Sequence, residues 1–110
     1  MKKDWTVYAR YILDAIDKIK RIQQRGDILH DDILYDAAIR SLQTLSEATQ
    51  SIPDEHKAKH TDIPWREISG FRNILVHNYL GDIDPLTINA VIQEHLPKLE
   101  KCMQILLRDD

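Results

Sequence analysis

Three side chains in one short stretch can do chemistry together. Arg72, His77 and Tyr79 lie in Arg72-Asn73-Ile74-Leu75-Val76-His77-Asn78-Tyr79. Arginine offers a planar fork of donors that matches phosphate and keeps its charge. Histidine, with an unperturbed pKa of about 6.5, takes and gives a proton near neutrality. Those two groups suffice to cleave RNA without a metal. The histidine deprotonates the ribose 2′-hydroxyl or protonates the leaving oxygen, and the arginine stabilises the charge that builds on the phosphorus. One histidine serves as base or as acid, not as both at once. Two copies of the chain facing each other across a symmetric dimer would supply both, and Tyr79 is a weaker substitute as the acid. Ordinary readings stand beside these. Arg72 can pair with Glu47 or Glu67, His77 can be a residue favoured by the dipole at a helix C-terminus, and Tyr79 can be a packed aromatic. Spacing alone does not decide among them.

These residues need a helix to hold them, and apolar periodicity supplies several. Trp5, Tyr8, Ile12, Ala15, Ile19 and Ile22 form one stripe at helical spacing, with Gly26 as its stop. Leu34, Ala38, Leu42, Leu45, Thr49 and Ile52 form a second, capped by Asp31 or Asp32 and ended by Pro53. The short link makes these two helices antiparallel neighbours. Residues 53–63 read as a surface loop. Pro64 suits the first turn of a third helix, behind a cap near Asp62, running through Trp65, Ile68, Phe71 and Leu75 to about His77, with Trp65 and Phe71 in the core. Gly81-Asp82 breaks it. Asp84-Pro85 starts a short fourth helix through about Gln93, and Pro97 opens or kinks the last, with Leu96, Leu99, Met103 and Leu106 as its stripe. The expected fold is all-α, a four- or five-helix up-and-down bundle.

On the third helix, at about 100° per residue, setting Arg72 at zero puts Val76 near ~40°, Asn73 near ~100°, His77 near ~140° and Tyr79 near about −20°. A polar arc interrupted by a valine suits a face that meets a partner rather than bulk water.

Composition narrows the classes. The chain has 110 residues, 43% hydrophobic and 30% charged, with a formal charge of −3. That fits one globular domain over residues 1–110 and argues against a broad basic surface for duplex nucleic acid. A single cysteine, Cys102, excludes an internal disulfide and a cysteine-rich zinc site. His56 and His60 lack an obvious third ligand, and no Glu-x-x-His pair suggests a di-iron bundle. No metal or other cofactor is expected. No apolar run is long enough to span a membrane, and no apolar signal core follows Met1-Lys2-Lys3, so the cytoplasm is the expected location.

The stretch from Arg72 to Tyr79 resembles the R-x4-H-x-Y motif of the HEPN superfamily in its HepT-like branch. The surroundings resemble it too: Ile63-Pro64-Trp65 leads in, Ser69-Gly70-Phe71 precedes Arg72-Asn73, and Asp84 with the helix to Leu96-Pro97 follows. Ser46-Glu47-Ala48 is similar to the family's Gly-Glu-Ala, with Ser46 in place of the glycine, and Asn78 stands where aspartate is also common. The resemblance covers residues 5–107. It implies a HEPN-like helical bundle that forms a homodimer with the motif at the dimer cleft. It implies a metal-independent ribonuclease acting on RNA as a toxin, and a cognate minimal nucleotidyltransferase antitoxin that adds AMP to the motif tyrosine. By position, Arg72 and His77 would be catalytic, Asn73 and Glu47 supporting, and Tyr79 the modified residue. The competing reading is a non-catalytic helical module that uses the same pocket to bind a nucleotide or a partner protein.

Overall fold

In the computed structural model, residues 4–77 and 85–109 are described, with 72–77 and 109 described by their place in a helix. Every regular element among them is helical: α1 (Thr6–Arg25), α2 (Asp32–Thr49), α3 (Asp54–Ala58), α4 (Trp65–His77) and α5 (Pro85–Asp109). The fold is an all-α up-and-down bundle. α1 packs between α2 and α5, and α4 packs on α2.

α1 forms where the first apolar stripe predicts it. Asp4 accepts hydrogen bonds from the backbone N–H and the hydroxyl of Thr6 at its start. The buried face adds Ala9 and Ile16 to the expected Ile12, Ala15, Ile19 and Ile22. Gly26 follows the last turn with extended backbone, at φ 162° and ψ −171°. Its glycine matters for space, because a Cβ there would stand 2.9 Å from Leu34 Cδ1.

Of the two candidate caps for α2, Asp31 does the capping. Its carboxylate accepts from the N–H of Ile33 at 3.0 Å and of Leu34 at 3.3 Å. Asp32 sits in the first turn, where a negative charge suits the helix dipole. α2 ends at Thr49, earlier than the stripe to Ile52 suggests. Pro53 disfavours helical backbone at Ile52, and the chain leaves through tighter turns, Ser51 N–H to Ala48 O and Ile52 N–H to Thr49 O. Ile52 is still buried.

Two expectations give way. The segment 53–63 contains α3, a short helix with no buried residue, begun by extended Pro53 and by Asp54 and Glu55 in its first turn. The two separate helices expected after Pro85 are one, α5, with Pro97 inside it. Pro97 is exposed, while Ile88, Ile92, Leu96, Leu99, Met103 and Leu106 are buried along one side. That continuous burial offsets the lost hydrogen bond and ring clash of an interior proline, about 3 kcal/mol. The bundle therefore has five helices among the described residues, but not the five that the proline positions suggest.

The core is centred on α1. Ile12, Ile16 and Ile19 meet Leu42 and Leu45 of α2 and Leu99 and Met103 of α5, each at most 1% exposed. No helix among the described residues is long and apolar enough to cross a membrane.

Candidate active site

α4 carries the motif, and local chemistry sets where it starts. Its first turn is closed by the Ile68 N–H on Pro64 O at 3.0 Å. Pro64 thus stands just before the first turn rather than within it, and the cap expected at Asp62 gives way to it. Trp65 is half-buried, with its indole N–H donating to His60 O at 3.0 Å and Lys57 Nζ 5.8 Å from the ring centroid. Phe71 and Ile68 are buried as core residues.

The helix runs without interruption to His77, so positions 72, 73 and 77 share one rigid element. Positions 72 and 77 are separated by about 7.5 Å along the axis and about 140° around it. The side chains of Arg72, Asn73 and His77 lie outside the described residues, as does all of Tyr79 and the Gly81-Asp82 and Asp84 signals. Glu47 lies on the exposed side of the last turns of α2, the helix against which α4 packs.

Two features of α4 stand just before the motif. The first is polar. Thr49 Oγ1 lies 3.0 Å from Ser69 Oγ across the α2–α4 seam. Thr49 donates its one proton to Ser46 O at 2.6 Å, so Ser69 must be the donor to Thr49. Ser46 in turn donates to Leu42 O at 2.8 Å. Ser46 and Thr49 are fully buried. Ser46, at the position where the resemblance has glycine, is thus accommodated in the interior with its hydroxyl satisfied.

The second feature is open space. Glu67, Ile68, Gly70 and Phe71 of α4 with Val91 and His95 of α5 line an apolar groove of about 270 Å³. A Cβ built on Gly70 meets nothing within 4 Å among the described residues. By helical register, position 77 lies within about 20° of Gly70, and positions 72 and 73 within about 60° and 40° of Ser69. Thr49, Ser69, Gly70 and His95 were not singled out as site residues from sequence. The available signal was a threonine on an otherwise apolar stripe of α2 and a serine one turn before Arg72.

Elsewhere the chemistry is quiet. Burial, and then the nearby Asp62 charge, pushes the Cys102 thiol up to about 11, which removes it as a nucleophile at neutral pH. His56 packs its ring against Trp5 with centroids 4.5 Å apart. Among the described residues, no group of three or more His, Cys, Asp or Glu is placed to hold a metal ion.

Comparison with known proteins converges on one family. The family model described as Ribonuclease HepT-like matches residues 12–106. A candidate RNase of Caldanaerobacter subterraneus subsp. tengcongensis is 35% identical over 107 residues, 94% of this chain and 94% of that protein. A candidate RNase of Methanocaldococcus jannaschii is 36% identical over 92 residues, 84% of this chain and 83% of that protein. A candidate ribonuclease HepT of Thermococcus cleftensis is 33% identical over 105 residues, 91% and 93% of the two chains. No solved structure matches at a significant level. The family match reaches from within α1 to the end of the apolar stripe of α5, with the whole of α4 inside it, and on that extent the chain belongs to the HepT-like ribonucleases.

Proposed function

We propose that this protein is a metal-independent RNA endonuclease, with Arg72 and His77 as catalytic residues and Asn73 and Glu47 supporting them. The observation that supports this most is that positions 72 and 77 fall on one uninterrupted helix in a chain of a ribonuclease family. Arg72 binds the scissile phosphate and stabilises its extra negative charge as the 2′-oxygen attacks. His77 takes the 2′-hydroxyl proton, or gives a proton to the departing 5′-oxygen. The products are a 2′,3′-cyclic phosphate and a 5′-hydroxyl, so no water enters the cleavage step.

A second copy of the chain supplies the other proton-transfer group. The groove beside Gly70 supports this reading. Its apolar lining suits a packed contact, and Glu67 and His95 add an acceptor and an imidazole that a second copy of the same patch can meet. The chain, taken as one domain over residues 1–110 in the cytoplasm, acts as the toxin of a two-protein module. Its antitoxin is a minimal nucleotidyltransferase that adds AMP to Tyr79. Each added AMP brings about one negative charge and a bulky base to a site built for phosphate, and so excludes RNA by repulsion and by volume.

The test is incubation of the purified protein with RNA in EDTA, alongside Arg72→Ala and His77→Ala. Cleavage leaving cyclic phosphate ends, lost in both variants, is the expected result. Cleavage abolished by EDTA overturns the metal-free mechanism. Intact RNA with bound nucleotide, and Tyr79 shown unmodified by mass spectrometry, would replace the enzyme with a nucleotide-binding module.

A further inference from the structure

We infer that the Thr49–Ser69 hydroxyl pair is a positioning device for the motif, fixing the rotation of α4 against α2 so that Arg72 is presented correctly. The inference rests on the reading of Arg72 as the phosphate-binding residue.

Apolar contacts along a helical seam tolerate rotation, because aliphatic groups slide past one another with little directional preference. A hydrogen bond does not, since its energy falls steeply with distance and angle. Ser69 Oγ donates to Thr49 Oγ1 at 3.0 Å, between residues 20 apart in sequence. Thr49 is itself held by its bond to Ser46 O and is 0% exposed. The acceptor is therefore fixed on α2, and the donor on α4 must come to it. The thread Ser69–Thr49–Ser46 leaves the buried oxygens of Thr49 and Ser46 satisfied.

The location gives the bond its consequence. Ser69 stands one turn before positions 72 and 73, and its angular position falls between theirs. A rotation of α4 that lengthened the Ser69–Thr49 bond would swing position 72 by the same angle. On the far side of α4 the groove beside Gly70 leaves open space among the described residues. The polar pair thus adds an angular restraint to the α2–α4 seam, opposite the open groove.

The experiment uses the full chain with Thr49→Val, which keeps the shape and deletes the acceptor, Thr49→Ser, which keeps the hydroxyl, Ser69→Ala, and the double variant T49V/S69A. Three quantities are read: kcat and KM on RNA, the melting temperature, and the NMR signal of the Arg72 Nε–H. Thr49→Val and Ser69→Ala lower kcat roughly ten- to a hundredfold with KM little changed, as expected of a small misplacement. The double variant is no worse than the poorer single one, and Thr49→Ser restores activity. The Arg72 signal moves or broadens with Thr49→Val and not with Thr49→Ser.

Should Thr49→Val fail to fold, Ser69→Ala, at a half-buried position, carries the same comparison. Unchanged kcat and an unchanged Arg72 signal overturn the inference. So do losses in the single variants that simply add, or a Thr49→Ser variant as impaired as Thr49→Val. A wild-type protein that leaves RNA intact overturns the ribonuclease reading instead, and the Arg72 signal then decides the positioning claim by itself.

Discussion

The two sides of this bundle are built on different principles. Where α1 meets α2 and α5, large aliphatic side chains fill the interior, and Ile12, Ile16, Ile19, Leu42, Leu45 and Leu99 are all but fully buried. Where α4 faces α5, the wall contains a glycine with open space beside it, a half-buried valine and a half-buried histidine around a groove. The first side gives the chain its stability. The second holds the helix that carries the motif, and among the described residues that helix is held chiefly through its seam with α2, hydroxyl pair included. The difference teaches that a helix can be continuous along its axis while a groove stays open beside it among the described residues.

Truncations test the contrast most strongly. Ile16→Ala, on the closed side, should lower the unfolding free energy by about 2–5 kcal/mol, measured by denaturant titration. Val91→Ala, on the groove side, should cost less than about 1 kcal/mol, because its surroundings are already open. Equal losses would dissolve the distinction.

The motif should show the reverse pattern. His77→Ala and Arg72→Ala should each lower RNA cleavage by at least about a hundredfold, while the melting temperature stays near the wild-type value. A parallel fall in stability would make these residues structural members of the closed side.

Gly70→Ala gives a smaller effect with an unusual sign. A glycine inside a helix costs up to about 1 kcal/mol relative to alanine, and the added methyl meets no neighbour among the described residues. Measured at a concentration where the chain is monomeric, the variant should be more stable by about that amount. Sedimentation should show weaker self-association if the groove seats a second copy.

The smallest effect concerns Cys102. Its thiol keeps the proton up to about 11, against an ordinary value of 9.0 in the unfolded chain. Between those values the unfolded state binds fewer protons, so stability should fall as pH rises from about 9 to about 11. At neutral pH the folded protein should react slowly with a thiol reagent, and denaturation should release a rapid reaction.

Much of this architecture was legible in the order of residues. Helical spacing of apolar groups identified α1, α2 and α4, because burial along one stripe is what makes those segments helices. Pro97 misled, since proline chemistry speaks only of local backbone, and the burial of Leu96, Leu99 and Met103 on the opposite side outweighs it. α3 was missed because no buried residue marks it. The motif stood out through residue types that match phosphate chemistry. Its supports did not, because Thr49 and Ser69 become a pair only when α2 and α4 are side by side. Gly70 offers no signal of its own, since an absent side chain marks a site only through the space around it.

Pro97 has a last consequence, for how motion is distributed along α5. Without its N–H, the carbonyl of Gln93 loses its partner within the helix. The long helix therefore has one backbone hydrogen bond fewer at this point, while burial holds it on both sides. Beyond it Leu99, Met103 and Leu106 are buried, and before it Ile88 and Ile92 are buried as well. The segment before Pro97 also carries Val91 and His95, the α5 wall of the groove. Amide hydrogen exchange should fall into two classes on either side of the proline, slow beyond it and faster before it. The wall that α5 lends to the groove can then yield to an incoming surface while the core beneath keeps its packing.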